Sequence, residues 1–400
     1  MFLTVMTVAE ALTALSPVRR SAVVHVAPAL GIVPARDVCA AEELPAYARA
    51  TVDGYAVRAA DTYAASESVP ALLELTGAVA IGRAPDGDVG PGAAMGIPTG
   101  GLLPHGADAV AMVEHTTEPM PGHVELVRPL APGDGVLQAG EEARAGEVLA
   151  PAGRPLRAAD LGLLAAAGVT EVGARARPRV GIVSTGDEVV PAATAPLEPG
   201  RVRDACGPAL AGLVREAGGE PVLHGIVPDD AAALERALAA SVAEDDVVVV
   251  SAGSSVGARD LTATVVARLG EVVCHGLALR PGKPTLLADC GGVPLIGLPG
   301  NPRSALVVFR LVGMPLVRAV GGVTDPPPAP SVRARLARDV PSAAGRLDVV
   351  QASVADDVAT PLFGSSALLG PMVRADGWFC VPEADTGLAE GTTVRVDLYA

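Results

Sequence analysis

Residues 247–260 read VVVVSAGSSVGARD. Four valines fall far short of the ~18 apolar residues that a membrane span requires, but they suit a short strand buried on both faces. A Gly- and Ser-rich turn follows, and helical spacing resumes over residues 261–269. Outward from this point the same alternation recurs. Strands are expected at 180–184 and 222–227, helices at 209–217 and 231–243, apolar segments around Leu277 and Leu286, a strand at 294–298 and a helix at 304–317. Strand and helix in turn predict a parallel sheet with crossover helices.

The flanking text differs. Residues 7–16 carry Val8, Leu12 and Leu15 at helical spacing, with Pro17 as the stop. From 51 to 142 short apolar segments (72–75, 109–113, 124–127) are cut by Gly and Pro, which reads as a β-rich insertion, and helical spacing returns at 158–167. After the junction ARARP the α/β text runs to TDPPPAP, residues 324–330, an extended Pro-rich linker. Four strands, at 332–336, 348–354, 379–382 and 393–398, then predict a small β domain. The expected organisation is a split N-terminal part (1–50 and 143–177), a β-rich insertion (51–142), an α/β domain (178–323) and a C-terminal β domain (331–400).

A chain of 400 residues has length for several such cores. Aromatic residues make up only 2%, and the formal charge is −15, so stacking platforms and broad binding to nucleic acid or anionic membrane are disfavoured. The five cysteines include no C-x-x-C pair, which fits reduced thiols and argues against a zinc site. The apolar start MFLTVMTVAEAL has no basic n-region and is broken by Glu10, so no signal peptide is read and a cytoplasmic location is expected.

In open α/β sheets ligands bind beyond the carboxyl ends of the strands, and here those positions are polar. Ser184, Thr185, Gly186, Asp187 and Glu188 follow the first strand, and Asp229 and Asp230 follow the second. The third leads through Gly253, Ser254, Ser255 and Gly257 to Asp260, a loop whose N–H groups suit phosphate oxygens but which matches neither a Walker A sequence nor G-x-G-x-x-G. A helix cap or an exposed turn explains each of these singly. Together the carboxylates repel unless they share a cation, and an oxygen-only set suits Mg2+ bridging to phosphate. In LRPGKPTLL (279–287), Arg280 and Lys283 are the expected oxyanion anchor. In GLPGNPRSA (297–305), Pro299, Gly300, Asn301 and Pro302 shape a turn, and Ser304 falls near a helix N-terminus, where it serves an anion or simply caps the helix.

The stretches TVDGYAVRAADT (51–62), IPTGGLLPHGADAVAMVE (97–114), GIVSTGDEVV (181–190), GIVPDD (225–230), SAGSSVGARD (251–260), RPGKP (280–284) and GLPGNPRSA (297–305) resemble the molybdopterin molybdenumtransferase family, MoeA in bacteria and the gephyrin E domain in animals, in family order along nearly the whole chain. The resemblance implies a three-layer α/β molybdopterin-binding domain and a C-terminal β-barrel in a four-domain homodimer. It implies Mg2+-dependent insertion of molybdate into adenylylated molybdopterin with release of AMP, and a molybdopterin adenylyltransferase and molybdoenzymes as neighbours. By motif, Glu188, Asp229 and Asp260 are the acidic and metal-site positions and Lys283 the basic one, while Asp53 and Thr99 belong to the domain that reaches the partner subunit's cleft. Molybdate is implied near Arg280, Lys283, Ser304, Arg346 and Ser366.

Four departures stand out. Arg280 replaces a common Lys, Asp204-Ala205-Cys206 replaces D-S-N or D-T-N, residues 138–142 read QAGEE for R-R-G-E-D, and Arg303 replaces a small apolar residue beside the oxyanion position. Competing readings are a tungstate-preferring insertase, an adenylyltransferase, whose fold resembles 178–323 alone, and a non-catalytic molybdopterin-binding paralogue or scaffold.

Overall fold

The computed structural model describes residues 5–15, 21–251 and 256–399, the side chains of 256–260 excepted. The chain forms two compact units, one of Met1–Arg36, Ala152–Leu156 and Gly173–Ala400, the other of Asp37–Pro151 and Arg157–Val172.

The first unit is built on a six-stranded sheet. Its order is Glu220–Val227, Arg179–Thr185, Val247–Ser251, Val293–Leu298, Leu286–Cys290 and Glu271–His275. Val247 to Val250 are fully buried, as a strand covered by helices on both faces must be. Each such side chain withdrawn from water contributes about 1.5–3 kcal/mol. Helices Cys206–Glu216, Ala231–Glu244 and Val256–Leu269 follow the first three strands in sequence. The parallel registers Thr185↔Val227, Ser184↔Ser251 and Ser251↔Leu298 bring four strand ends level, so the loops after them share one edge.

Four expectations need correction. The sheet is mixed, because Leu286–Cys290 and Val293–Leu298 form an antiparallel hairpin. Gly291 and Gly292 connect them at φ 69° and 88°, the pair of positive angles that a two-residue hairpin turn demands. The helix expected from residue 261 starts at Val256, so Asp260 lies within a helix and not at the end of a loop. Its opening residues Val256, Ala258 and Arg259 are helix-compatible, and the single Gly257 costs only about 1 kcal/mol against Ala. The helix expected over 304–317 is two helices, Pro302–Val308 and Met314–Val320, joined by a π-helical turn at Phe309–Gly313. Pro315 has no N–H to continue the regular ladder, and the wider turn absorbs the break. Finally, Asn301, not Ser304, is the N-cap of Pro302–Val308.

In the C-terminal region Leu347–Ala355, Val358–Leu362, Ser331–Leu336, Thr393–Leu398 and Gly377–Val381 close into a five-stranded barrel through the pairing of Leu347–Ala355 with Gly377–Val381. Its core holds Val350, Ala352, Phe379, Val381, Val394 and Val396. The two-residue strand Leu279–Arg280 joins this barrel, with Arg280 opposite Asp348.

The second unit carries a six-stranded sheet ordered Ala109–Met112, Gly54–Val57, Ala93–Ile97, Ala71–Ala78, His123–Leu126 and Thr116–Met120, together with the helix Ala158–Ala166. Alternate residues of one strand enter different cores, Ala56 with Met95 and Val110, Val57 with Leu73 and Leu126. Among the described residues no helix is long and apolar enough to cross a membrane.

Candidate active site: two clefts in the larger unit

The basic cleft has a volume of about 710 Å3 and is lined by Arg280, Lys283, Pro299, Asn301, Arg303, Ser304, Arg346, Asp348 and Ser366, among others. The turn carrying Lys283 is set by Gly282, whose φ of 134° favours glycine and whose Cβ, if present, would lie 2.5 Å from Val308. Thr285, fully buried, donates its hydroxyl to the Gly282 carbonyl at 2.6 Å and fixes the turn from below.

Asp348 organises the cations. Its Oδ2 accepts from Arg280 Nη1 at 3.2 Å and from the Ser342 hydroxyl at 2.8 Å. Its Oδ1 lies 3.1 Å from Arg346 Nε, an ion contact whose angles fall short of a hydrogen bond. Asp348 itself is buried, yet Arg280 keeps 57% and Arg346 37% of its side chain exposed. One carboxylate thus holds two guanidinium groups apart at the cleft wall. Sequence reasoning missed Asp348 and Ser342. Asp348 is the second residue of the mainly apolar strand Leu347–Ala355, and its signal was an acid near the edge of an otherwise buried run.

Across the cleft, the Asn301 side-chain amide donates to Ser366 Oγ at 2.8 Å, and Arg303 donates its backbone N–H to the Ser366 carbonyl at 3.1 Å and Nη1 to the Gly364 carbonyl at 2.9 Å. The structure therefore brings together Arg280, Lys283, Pro299, Asn301, Ser304, Arg346 and Ser366, which the sequence scatters over nearly ninety positions. Pro302 occupies the first helical turn beside them.

A second cleft, of about 600 Å3, opens where Arg179–Thr185 and Glu220–Val227 end, and its walls are mainly apolar. Ser184, Gly186, Asp187, Asp204, Gly207 and Pro228 line it. Asp204 accepts from the Ser184 hydroxyl at 2.7 Å and from the Gly207 N–H at 2.9 Å, so its carboxylate is held in place at the start of Cys206–Glu216. A Cβ on Gly207 would lie 2.6 Å from that carboxylate. The buried Cys206 thiol beside it is pushed up to about 12 by burial and by the Asp204 charge, so it is a neutral packing group.

The acidic residues divide. Asp229 donates its backbone N–H to Asp187 Oδ1 at 3.1 Å. Partial desolvation, with Asp187 and Glu188 nearby, holds the Asp229 carboxyl above its usual range. Asp230 is spent as the N-cap of Ala231–Glu244, accepting from Ala233 at 2.8 Å, and Thr185 donates its hydroxyl to the Ser251 carbonyl at 3.2 Å. At Gly186, with φ 137°, a Cβ would lie 2.8 Å from both Glu188 Oε2 and Val189 Cγ2. Gly253, Ser254 and Ser255 lie outside the described residues, and of Gly257 and Asp260 only the backbone is described. Among the described residues no group of three or more His, Cys, Asp or Glu side chains is placed to hold a metal.

In the second unit Asp53 and Thr99 meet each other. The Thr99 N–H donates to Asp53 Oδ1 at 2.7 Å, and that bond holds the Asp53 carboxyl below its usual range. Gly54 beside it is obligatory, since a Cβ there would overlap the Ala111 carbonyl.

A level strand edge carrying a basic cleft and an acid-bearing, apolar-walled cleft marks a multidomain α/β protein with room for an anion and for a larger, partly apolar ligand. Known families agree. Residues 6–168 match the "MoeA N-terminal region (domain I and II)", 181–319 the "Probable molybdopterin binding domain" and 333–399 the "MoeA C-terminal region (domain IV)". Molybdopterin molybdenumtransferase 2 of Mycobacterium tuberculosis is 32% identical over 97% of this chain and 96% of its own. The molybdopterin molybdenumtransferase of Nostoc sp. is 37% identical over 70% of this chain, a match that spans 65% of the Nostoc protein. The crystal structure of a molybdopterin biosynthesis MoeA protein from Pyrococcus horikoshii superposes with a TM-score of 0.84 at 36% identity, covering 99% of both chains. The chain belongs to the MoeA family of molybdopterin molybdenumtransferases. It is an enzyme of molybdenum cofactor biosynthesis, acting at molybdenum insertion.

Proposed function

We propose that the protein takes molybdate in the basic cleft and adenylylated molybdopterin along the same sheet edge, inserts the metal at the dithiolene and releases AMP. The observation that carries this reading is the convergence of Arg280, Lys283 and Arg346 on one cleft in a chain of formal charge −15. Such a wall attracts a dianion that the rest of the surface repels. The apolar cleft suits a flat heterocycle, and the fixed carboxylate of Asp204 suits its N–H donors.

Mg2+ fits the donor set in chemistry. Asp187, Glu188 and Asp229 are hard oxygen donors of the type Mg2+ takes, although the described residues do not gather three of them around one point. Burial first, and the charges of Asp187 and Glu188 second, raise the Asp229 carboxyl, and a cation would offset the second cause. In this reading Glu188 and Asp229, with Asp260, would hold the ion. When bound, Mg2+ offsets charge on the phosphoanhydride as AMP leaves. Lys283 and Arg280 hold the oxyanion, Ser304 and Ser366 orient it, and Asp187 fixes the Asp229 loop through its backbone bond. Asp53 and Thr99 complete the assignment as residues that act in a homodimer, and a molybdopterin adenylyltransferase and molybdoenzymes are the partners supplying substrate and accepting product in a cytoplasmic pathway.

The test is AMP release from adenylylated molybdopterin by the purified protein with Mg2+, with and without micromolar molybdate and with tungstate as a control. Release that requires molybdate supports the reading, and tighter use of tungstate would reassign the metal. Pterin binding with no oxyanion-dependent release would reject it in favour of a carrier or scaffold.

A further inference from the structure

Arg303 is held in the cleft wall differently from its neighbours. It is only 7% exposed, and its Nε is buried with no acceptor among the described residues. Its Nη1 meets a neutral carbonyl, that of Gly364, at 2.9 Å. No carboxylate among the described residues pairs with it, whereas Arg280 and Arg346 share Asp348. Burial pulls its pKa down and the like charge of Arg280 adds to this, the Tyr399 phenol acting the other way, although a guanidinium remains a cation at neutral pH. A buried cation with no counter-ion is costly, and native proteins keep one where a ligand completes it.

We propose that Arg303 is the charge-selecting residue of the basic cleft, making the site prefer a tetrahedral dianion over a monoanion of the same shape. The inference rests on the reading that an oxyanion substrate occupies this cleft, and it adds which residue sets the preference. Arg280, Lys283 and Arg346, set against Asp348, leave two net positive charges in the cleft, all on side chains open to solvent. Arg303 adds a third that is buried, and the low-dielectric wall around it makes that charge count for more than an exposed one, so a doubly charged ligand gains more from it than a singly charged one. Specificity of this kind arises because the unliganded guanidinium is poorly satisfied, so a ligand with too little charge leaves part of the penalty in place. A small apolar residue at this position provides none of this.

Molybdate and tungstate are dianions, and perrhenate is a monoanion of nearly the same size and shape. Equilibrium dialysis of all three at fixed ionic strength against the native protein, Arg303→Gln and Arg303→Lys, with a thermal melt of each, tests the proposal. The native protein should bind both dianions at least about tenfold more tightly than perrhenate. Arg303→Gln should weaken the dianions by about tenfold or more while changing perrhenate by less than about threefold, and Arg303→Lys should recover most of the preference. A ratio unchanged in Arg303→Gln overturns the inference. So does an equal loss of all three anions with a lowered melting temperature, which marks Arg303 as a mere staple for the Gly364 loop. Arg280→Gln separates the two levels. If it weakens binding while Arg303→Gln keeps the ratio, only the charge-selecting role fails. If the native protein binds oxyanions and Arg280→Gln binds them equally well, the site lies elsewhere and both readings fail.

Discussion

Asn301 donates its side-chain amide to the hydroxyl of Ser366 at 2.8 Å, joining residues 65 positions apart. Asn301 caps the Pro302–Val308 helix through its backbone alone, its side chain making no bond to the helix. The amide is spent across the cleft instead. Replacing Ser366 by Ala removes the acceptor and leaves a part-buried donor, a loss of about 1 kcal/mol. We expect molybdate affinity to fall several-fold with little change in the unfolding midpoint, as read by dialysis and thermal melting. Unaltered affinity would remove Ser366 from the site.

Asp348 has opposite effects on stability and binding. It is buried and neutralises Arg280 and Arg346, so Asp348→Asn should cost roughly 1–3 kcal/mol of stability. The same change frees positive charge at the cleft wall, so molybdate affinity should hold or rise. Urea unfolding alongside dialysis checks the pair of signs, and a parallel fall in both would show that Asp348 shapes the cleft more than it tunes its charge.

The carboxyl of Asp229 is held above its ordinary value, so the folded protein binds that proton more tightly than the unfolded chain does. The stabilisation is complete below the unfolded value and is lost as pH rises through the raised folded value. A cation needs the ionised form, and protons therefore compete with it. The Mg2+ concentration for half-maximal AMP release should rise as pH is lowered from about 8 to 5, and Asp229→Asn should flatten that dependence without lowering stability at neutral pH. A pH-independent Mg2+ requirement in the native protein would falsify the assignment.

Gly181 lies in a buried strand against Ser241 and Asp245, and a Cβ there would overlap the Ser241 hydroxyl and the Asp245 carboxylate. Those two groups are bonded to one another at 2.8 Å, and His224 meets the same carboxylate at 2.6 Å. Gly181→Ala should therefore lower stability by about 1–3 kcal/mol, as overpacking does, with AMP release per folded molecule preserved. The check is an unfolding curve with activity normalised to folded protein.

Much of this architecture was legible one element at a time. The valines at 247–250 announced a strand covered on both faces, and the capping acid at 230 announced the helix that follows. The π-helical turn was not legible, because helical spacing runs unbroken through Phe309 and Leu316 and only the missing N–H of Pro315 disturbs it. Asp348 was hidden for another reason. Its partners Arg280 and Arg346 come from two segments, and strand pairing between the Leu279–Arg280 bridge and the barrel is what seats them together.

The sequence by itself determined where most strands and helices fall, that polar residues gather after the strand ends, and that the chain is one of the MoeA family, because periodicity, turn residues and local motifs are properties of contiguous stretches. Only the tertiary structure decided which polar groups are already satisfied. Thr185 and Asp230 are spent on backbone partners, Asp348 is shared by two arginines, and Arg303 is buried with no carboxylate among the described residues. That distinction depends on burial and on partners distant in the chain, and it separates a charge that holds the fold together from one that a ligand must complete.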